Sequence, residues 1–593
     1  MIEDRALLEE EFARARPDRR SAGRILRYLA AERGRVAAAL ALEVGWVASM
    51  ILGPHLVQVA IDGPIRERAG PALAWVAVLY AANTLARTGG VVLQIRLAAR
   101  AGYGVLAEVR KDLFAHVQRL SLDWFDRTRE GKVLARIDRD VEALEGVVVW
   151  GPIELASACL SLVLVLVQMT LYDGRLACAL LAFVPVLLAG GEFLRRRGFA
   201  AHRRVRERAS RIHAHLAETL SGLFIVQAFV RERENLGELA GIHASHDSEI
   251  RRGAWVWSAY VPFVGLVYAA AALLVLGYGG SLVRAGEMEL GEVAAFLLLL
   301  GMLFGPIEEL AGLYDETLAA ASAAERIFQV LDTSPAIADG PGGVVLSRVE
   351  GRIEFDRVTF SYPGQAGEPA LVEASFVALP GRTLALVGRT GSGKTTVVGL
   401  LARFYEPDSG TIRIDGEPLA RISVSSLRHA IALVPQEGFL FSGTLLENLR
   451  YGRPDASPEE VERAARELGV HEVFATLPRG YLTHVRERGE GLSSGQRQLA
   501  ALTRALVADP RILILDEATS AVDPGMERTI QEAILALRQG RTTVVVAHRL
   551  STVVGADEIL VLSRGRIVER GDHGALLAAG KVYRDLYDRF ARE

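Results

Sequence analysis

Two cysteines in 593 residues are too few for a disulfide-stapled fold. Cys159 and Cys178 both fall in apolar stretches, so they supply neither a disulfide framework nor a cysteine-based zinc site. A dominant charge is missing as well. The 68 Lys+Arg against 71 Asp+Glu leave a net charge of −3, and no global basic field argues for nucleic acid. No short repeat runs through the chain, which excludes a collagen-like or coiled-coil rod. The first twenty residues are dense in Glu, Asp and Arg and lack the apolar core of a signal peptide. Disorder needs low hydrophobicity, yet half of the residues are apolar and the mean hydropathy is +0.23. A positive average beside 23% charged residues implies a chain divided between a greasy part and a water-soluble part. The length suggests roughly three or four domain-sized units.

The greasy part begins at Val36. Apolar runs at 36–61, 71–95, 146–171, 174–194, 254–282 and 290–312 each approach or exceed the roughly 20 residues that cross a hydrocarbon core. One such run could be a buried helix of a large soluble protein, but six in series could not. The long segments between the second and third runs and between the fourth and fifth are rich in arginine, with Arg100, Arg110 and Arg119 in one and Arg195, Arg196 and Arg197 in the other. The remaining loops are short and poor in basic residues. The positive-inside tendency therefore places the long segments and both termini in the cytoplasm. Both long segments read as helical extensions of the spans. Two spans carry opposite charges, Glu43 and Arg87, at similar depths of about 10 and 12 Å from the cytoplasmic side. They are expected either to pair or to face a water-filled cavity, the alternative being that the helices run beyond the bilayer and one or both charges reach cytosolic water. The span aromatics Trp255, Trp257, Tyr260, Phe263, Tyr268 and Phe296 are candidates for lining such a cavity, and equally for packing.

After Leu313 the membrane signal fades, and Ala319 to Pro341 reads as a helix end followed by a linker. From Gly351 short β-branched runs alternate with helical ones. The runs 382–388, 511–516 and 541–548 predict buried strands of an α/β sheet. Between the first of these and a helix stands Gly388-Arg-Thr390-Gly391-Ser392-Gly393-Lys394-Thr395, the G-x-x-x-x-G-K-[ST] pattern, followed by Thr396. Its glycines let backbone N–H groups wrap phosphate, Lys394 reaches the β/γ oxygens, and Thr395 is a Mg²⁺ ligand. The second strand ends in Asp516-Glu517. Alternation sends these two side chains to different sides, so Asp516 can serve the metal and Glu517 the attacking water. Ser493-Ser494-Gly495-Gln496 opens another helix, either as a second anion contact or as an ordinary serine N-cap.

The order of phosphate loop, Gln436 in LVPQ, LSSGQ, LILDEATS, SAVD and AHR resembles the ATP-binding-cassette transporters, and the six preceding spans resemble their exporter branch in half-transporter form. The resemblance covers essentially the whole chain. It implies a charged tail (1–20), an all-α six-helix transmembrane domain (21–315), a linker (316–350) and an α/β P-loop cassette (351–593). It further implies that Tyr362 stacks on the adenine of ATP and that Gln436 senses Mg²⁺ and water. Ser493, Gly495 and Gln496 would meet the nucleotide of the opposite subunit, Asp523 would be the acid at the dimer contact, and His548 the γ-phosphate switch. The segments 122–144 and 217–229 resemble those that dock membrane helices onto the cassettes. The implied activity is ATP-driven export, or flipping, of hydrophobic or amphipathic molecules across a bacterial-type inner membrane. The alternatives are an ATP-gated signalling or channel protein, or a lipid or peptide exporter of the same fold.

Two departures stand out. The family signature LSGGQ has Ser494 in place of its first paired glycine, and Arg486 stands where relatives commonly carry glycine. An extra Cβ where backbone must approach phosphate is expected to weaken one nucleotide site. Intact hydrolytic residues beside an altered signature predict one partner of an asymmetric heterodimer.

Overall fold

The computed structural model describes residues 19–128, 130–339, 342–363, 369–436, 438–516, 524–547 and 550–590. They form two compact units, one from 19–114 with 134–330 and the other from 115–133 with 331–590.

In the first unit, six helical segments are long and apolar enough to cross a membrane: Arg33–Ile65, Gly70–Val117, Gly146–Tyr172, Gly174–Gly198, Glu232–Ala285 and Leu290–Asp332. Each contains one of the six apolar runs. Helix is the natural form here because hydrocarbon offers no partner to a backbone N–H or C=O. Several run well past the bilayer. The 48 residues of Gly70–Val117 measure about 72 Å at 1.5 Å per residue, more than twice the hydrocarbon thickness. Pro54, Pro262 and Pro306 lie inside helices, where each removes one backbone donor. Wider π-turns occur at Ile61–Ile65, Gly146–Trp150 and Val275–Gly279.

The sixth span is the centre of this unit. Phe296, Leu299, Leu300 and Leu303 are fully buried against Val47 of the first span, Met169 of the third and Leu176 of the fourth. Phe296 therefore packs, with its ring 6.0 Å from that of Tyr172, and is no cargo-facing aromatic. Towards its far end the same helix is held by charge. Asp140 is 7% exposed and accepts from Arg326 and, at 2.7 Å, from Arg136.

Among the described residues the second unit contains two large sheets and a two-stranded pair, Gly443–Thr444 with His484–Val485. The six-stranded one runs in the order Arg566–Gly571, Glu558–Ser563, Thr383–Val387, Thr542–Val546, Ile512–Asp516, Ile431–Val434. All neighbours are parallel except the first pair. Its three central strands are those predicted from the apolar runs, which are continuous because a parallel sheet is covered on both faces. The other sheet is antiparallel, with Leu371–Ala378, Ile353–Phe360, Ser409–Ile414 and the short Glu417–Pro418 in that order.

The short helix Leu122–Arg127 belongs to this second unit. The Tyr405 hydroxyl donates to Asp126 Oδ2 at 2.5 Å, and Ser121 Oγ accepts from the backbone N–H of Ala336 at 2.8 Å. Just before the helix, the His116 ring donates to the carbonyl of Thr333 at 2.9 Å. The segment 217–229 lies in the membrane unit and exposes Phe224 and Phe229.

Candidate nucleotide site

Parallel strands point their carboxyl ends the same way, and ligands of such sheets bind beyond those ends. Here the ends are level. Val546 pairs with Leu386 on one side and with Asp516 on the other, and Val434 pairs with Leu515. One residue past Val387 the chain enters the glycine-rich loop, two past Val434 it reaches Gln436, and Asp516 closes its own strand. Register alone thus brings Lys394, Gln436 and Asp516 to one edge. Glu517, Asp523 and His548 lie outside the described residues.

Lys394 opens the helix Lys394–Leu401 and is 6% exposed. Its ammonium donates to the carbonyls of Gly388 at 2.8 Å and Arg389 at 3.1 Å. Burial pulls its pKa below the usual lysine value, and the Asp516 carboxylate within electrostatic reach opposes that shift. Ser392 is 4% exposed, and its hydroxyl has no hydrogen-bond partner among the described residues. Gly393 has φ +104°, and a Cβ there would stand 2.7 Å from the carbonyl oxygen of Ala370. Thr390, Gly391 and Thr395 are exposed at the loop surface. Thr396 is buried, and its hydroxyl lies 3.2 Å from that of Tyr362, which ties the expected adenine residue to the start of the phosphate helix. The Tyr362 ring meets Phe360 and Tyr405 edge-on at 5.0 and 5.3 Å.

Ser493 caps the helix Ser494–Val507 in a reciprocal box. Its Oγ accepts from the Gln496 N–H at 3.2 Å, and Gln496 Oε1 accepts from the Ser493 N–H at 2.9 Å. Gly495, the second residue of the helix, is buried. Neither departure from the signature strains the chain. Ser494 is the first residue of a right-handed helix with an exposed side chain, and Arg486 has φ −83° in extended backbone. The positive φ values of this stretch fall on Arg488, Gly489 and Gly491 instead. The expected cost of a Cβ at Ser494 is therefore not conformational.

The loop fits phosphate. A buried lysine, an orphan hydroxyl and a turn too tight for a side chain surround one helix N-terminus. Asp516 and the exposed Thr395 hydroxyl supply oxygen donors of the kind Mg²⁺ takes, a carboxylate and a hydroxyl. Tyr405 and Asp126 were not singled out from sequence. They are 279 residues apart, and no local pattern joins them.

A glycine-rich phosphate loop on a parallel sheet, joined in one chain to six spans, defines a membrane-bound P-loop ATPase. The comparisons give the family. The ABC transporter transmembrane region matches residues 36–307, and the ABC transporter ATP-binding region matches 371–520. A multidrug efflux ATP-binding/permease protein of Mycobacterium bovis is 38% identical over 94% of this chain, which spans 47% of that relative's length. A fatty acid ABC transporter ATP-binding/permease protein of the same species is 40% identical over 81% of this chain and 75% of its own length. The solved structure of a bacterial Atm1-family ABC exporter with ATP bound superposes with a TM-score of 0.79 at 30% identity, covering 95% of this chain and 99% of that one. The chain belongs to the ABC transporter family. It is a multi-pass membrane protein that binds and hydrolyses ATP to drive export across the membrane.

Proposed function

We propose that this chain is one half of a dimeric exporter of hydrophobic or amphipathic molecules, in the inner membrane with its cassette in the cytoplasm. The observation that carries the reading is the convergence of Lys394, Gln436 and Asp516 on one sheet edge of a chain with six spans. Lys394 holds the β/γ oxygens of ATP, and Tyr362 meets the base. Gly388, Thr390, Gly391, Ser392, Gly393 and Thr396 form and brace the loop around the phosphates. Thr395, Asp516 and Gln436 would hold Mg²⁺, which neutralises charge on the phosphate oxygens when bound. Glu517 positions or deprotonates the attacking water, and His548 contacts the γ-phosphate.

Ser493, Gly495 and Gln496, with Asp523, serve the nucleotide of the opposite subunit. A helix N-terminus that already spends one backbone donor on the Ser493 cap still offers others to phosphate. The partner is a second half-transporter, and a heterodimer is the favoured form. The double length of the M. bovis multidrug relative supports two halves working together. Asymmetry rests on the bulk of Arg486 and Ser494 at the signature rather than on strain. Two ATP molecules bias an inward-open and an outward-open state, so closure exports and hydrolysis resets.

Glu517→Gln in the purified complex tests the chemistry. Steady-state hydrolysis should fall to near nothing while ATP binding persists, whereas Lys394→Ala should lose binding itself. A Glu517→Gln protein with most of its turnover would end the assignment. A stable, transport-competent homodimer of this chain expressed alone would end the heterodimer reading.

A further inference from the structure

We infer that the membrane unit carries a binding site for an organic cation. A cavity of about 630 Å³ opens among the first, second, third and sixth spans. Each helix gives it one face at helical spacing: Glu43 and Trp46 from the first, Gln94 from the second, Trp150 and Glu154 from the third, Glu309 and Glu316 from the sixth. Four carboxylates line it, and among the described residues no lysine, arginine or histidine does.

A group of acids alone would be unremarkable, but Glu43 is not merely one of four. It is 3% exposed, one of its oxygens accepts from the Gln94 side-chain amide, and its Oε1 has no hydrogen-bond partner among the described residues. The pairing with Arg87 raised by the sequence does not occur, and Arg87 does not line the cavity. A carboxylate buried at membrane depth with one acceptor unfilled is costly, and such residues mark cargo pathways. A cation entering the cavity would meet that oxygen and offset its desolvation. Trp46 and Trp150 add indole rings, the best aromatic partners for a cation. The volume lies within the range of about 300–1,000 Å³ that holds drug-sized ligands.

A second cavity of about 500 Å³, mostly apolar with Leu187, Tyr260 and Ile307 in its wall, shares Gly312 with the first. Gly312 thus stands on the sixth span between an apolar cavity and the acidic one. A cargo carrying its own carboxylate would face a wall of acids and no basic partner among the described residues. The inference therefore narrows the amphipathic cargo of the export reading, on which it rests, to cations.

Tetraphenylphosphonium and tetraphenylborate have nearly the same shape and opposite charge. Their equilibrium binding to the purified exporter, with its partner, in nanodiscs tests the site once binding to empty nanodiscs is subtracted. The cation should bind at least about tenfold more tightly than the anion. In Glu43→Gln and Glu309→Gln the cation should weaken by about tenfold while the anion holds or improves, which a misfolded protein would not show. Equal or tighter binding of the anion overturns the inference. So does unchanged cation affinity in a protein with all four glutamates replaced by glutamine. The parent reading is measured separately: ATP hydrolysis without charge preference sinks the site alone, and charge preference without ATP hydrolysis sinks the export reading alone.

Discussion

Replacing Gly393 by alanine separates two costs that the phosphate loop imposes. The residue has φ +104°, and the nearest atom to an added Cβ is the Ala370 carbonyl oxygen at 2.7 Å, which is backbone and cannot swing aside. The left-handed conformation costs an alanine about 1–3 kcal/mol. Moving the backbone off the new methyl adds about 1–3 kcal/mol. Gly391, two residues earlier, provides the control. It has φ +78° but nothing within 4 Å of an added Cβ, so alanine there meets the conformational cost alone. The difference between the variants, about 1–3 kcal/mol, corresponds to about 5- to 150-fold in the population of the binding-competent loop and hence in apparent ATP affinity. Equilibrium titration of the two purified variants with a fluorescent ATP analogue gives the ratio directly. If Gly391→Ala binds as poorly as Gly393→Ala, space at the loop is not what selects glycine, and the cradle has been misread.

Three further outcomes follow from other parts of the chain. Asp140→Ala leaves Arg136 and Arg326 without their shared buried partner and should destabilise by about 3–5 kcal/mol, seen as a lower melting temperature in detergent; a variant melting like the parent would show the pair to be neutral. Tyr405→Phe keeps the ring contacts to Phe360 and Tyr362 but removes the hydroxyl from Asp126, so ATP binding should hold while cargo-stimulated ATPase falls; an equal drop in both would place Tyr405 in nucleotide binding instead. Burial pushes the Tyr481 and Tyr583 phenols up to about 12, so each favours the fold fully below the ordinary tyrosine pKa of about 10, and that contribution is lost as pH rises from there through 12; phenolate absorbance should show both titrating above the exposed tyrosines, and ionisation with the bulk would refute it.

Much of this was legible from sequence where the cause is local. Hydrocarbon demands a long apolar run, so the six spans are visible one at a time. The turn around phosphate demands glycines at fixed spacing beside a strand and a helix, so the loop at Gly388–Thr395 is visible too. What sequence hid depends on how helices rotate against one another. Glu43 and Arg87 have matching depth, but depth says nothing of azimuth, and packing turned Glu43 towards Gln94. Phe296 and Tyr260 are both span aromatics, yet one is buried and the other lines a cavity. The antiparallel strands around Ile353–Phe360 also escaped notice. Their partners are local in the fold but their register shifts at bulges break the simple alternation that reveals a strand. The signature serine is a different matter, because its expected effect is on the approach of backbone to phosphate. The backbone at Ser494 is ordinary helix, so the family's glycine there answers no conformational need of this chain.

The strand Ile431–Val434 ends the six-stranded sheet and is bonded along one side, to Ile512–Asp516. Thr383–Val387 and Ile512–Asp516 are each clamped between two neighbours. A ribbon fixed along one margin is the more compliant, because fewer backbone bonds resist its bending. Lys394 and Asp516 thus ride on the stiff part of the sheet, whereas Gln436 follows its springy margin. A pull on Gln436 would be met by bonds to one neighbouring strand, a pull on Asp516 by bonds to two. The sheet is built like a fixed jaw with one sprung lip, and Gln436 sits at the tip of that lip.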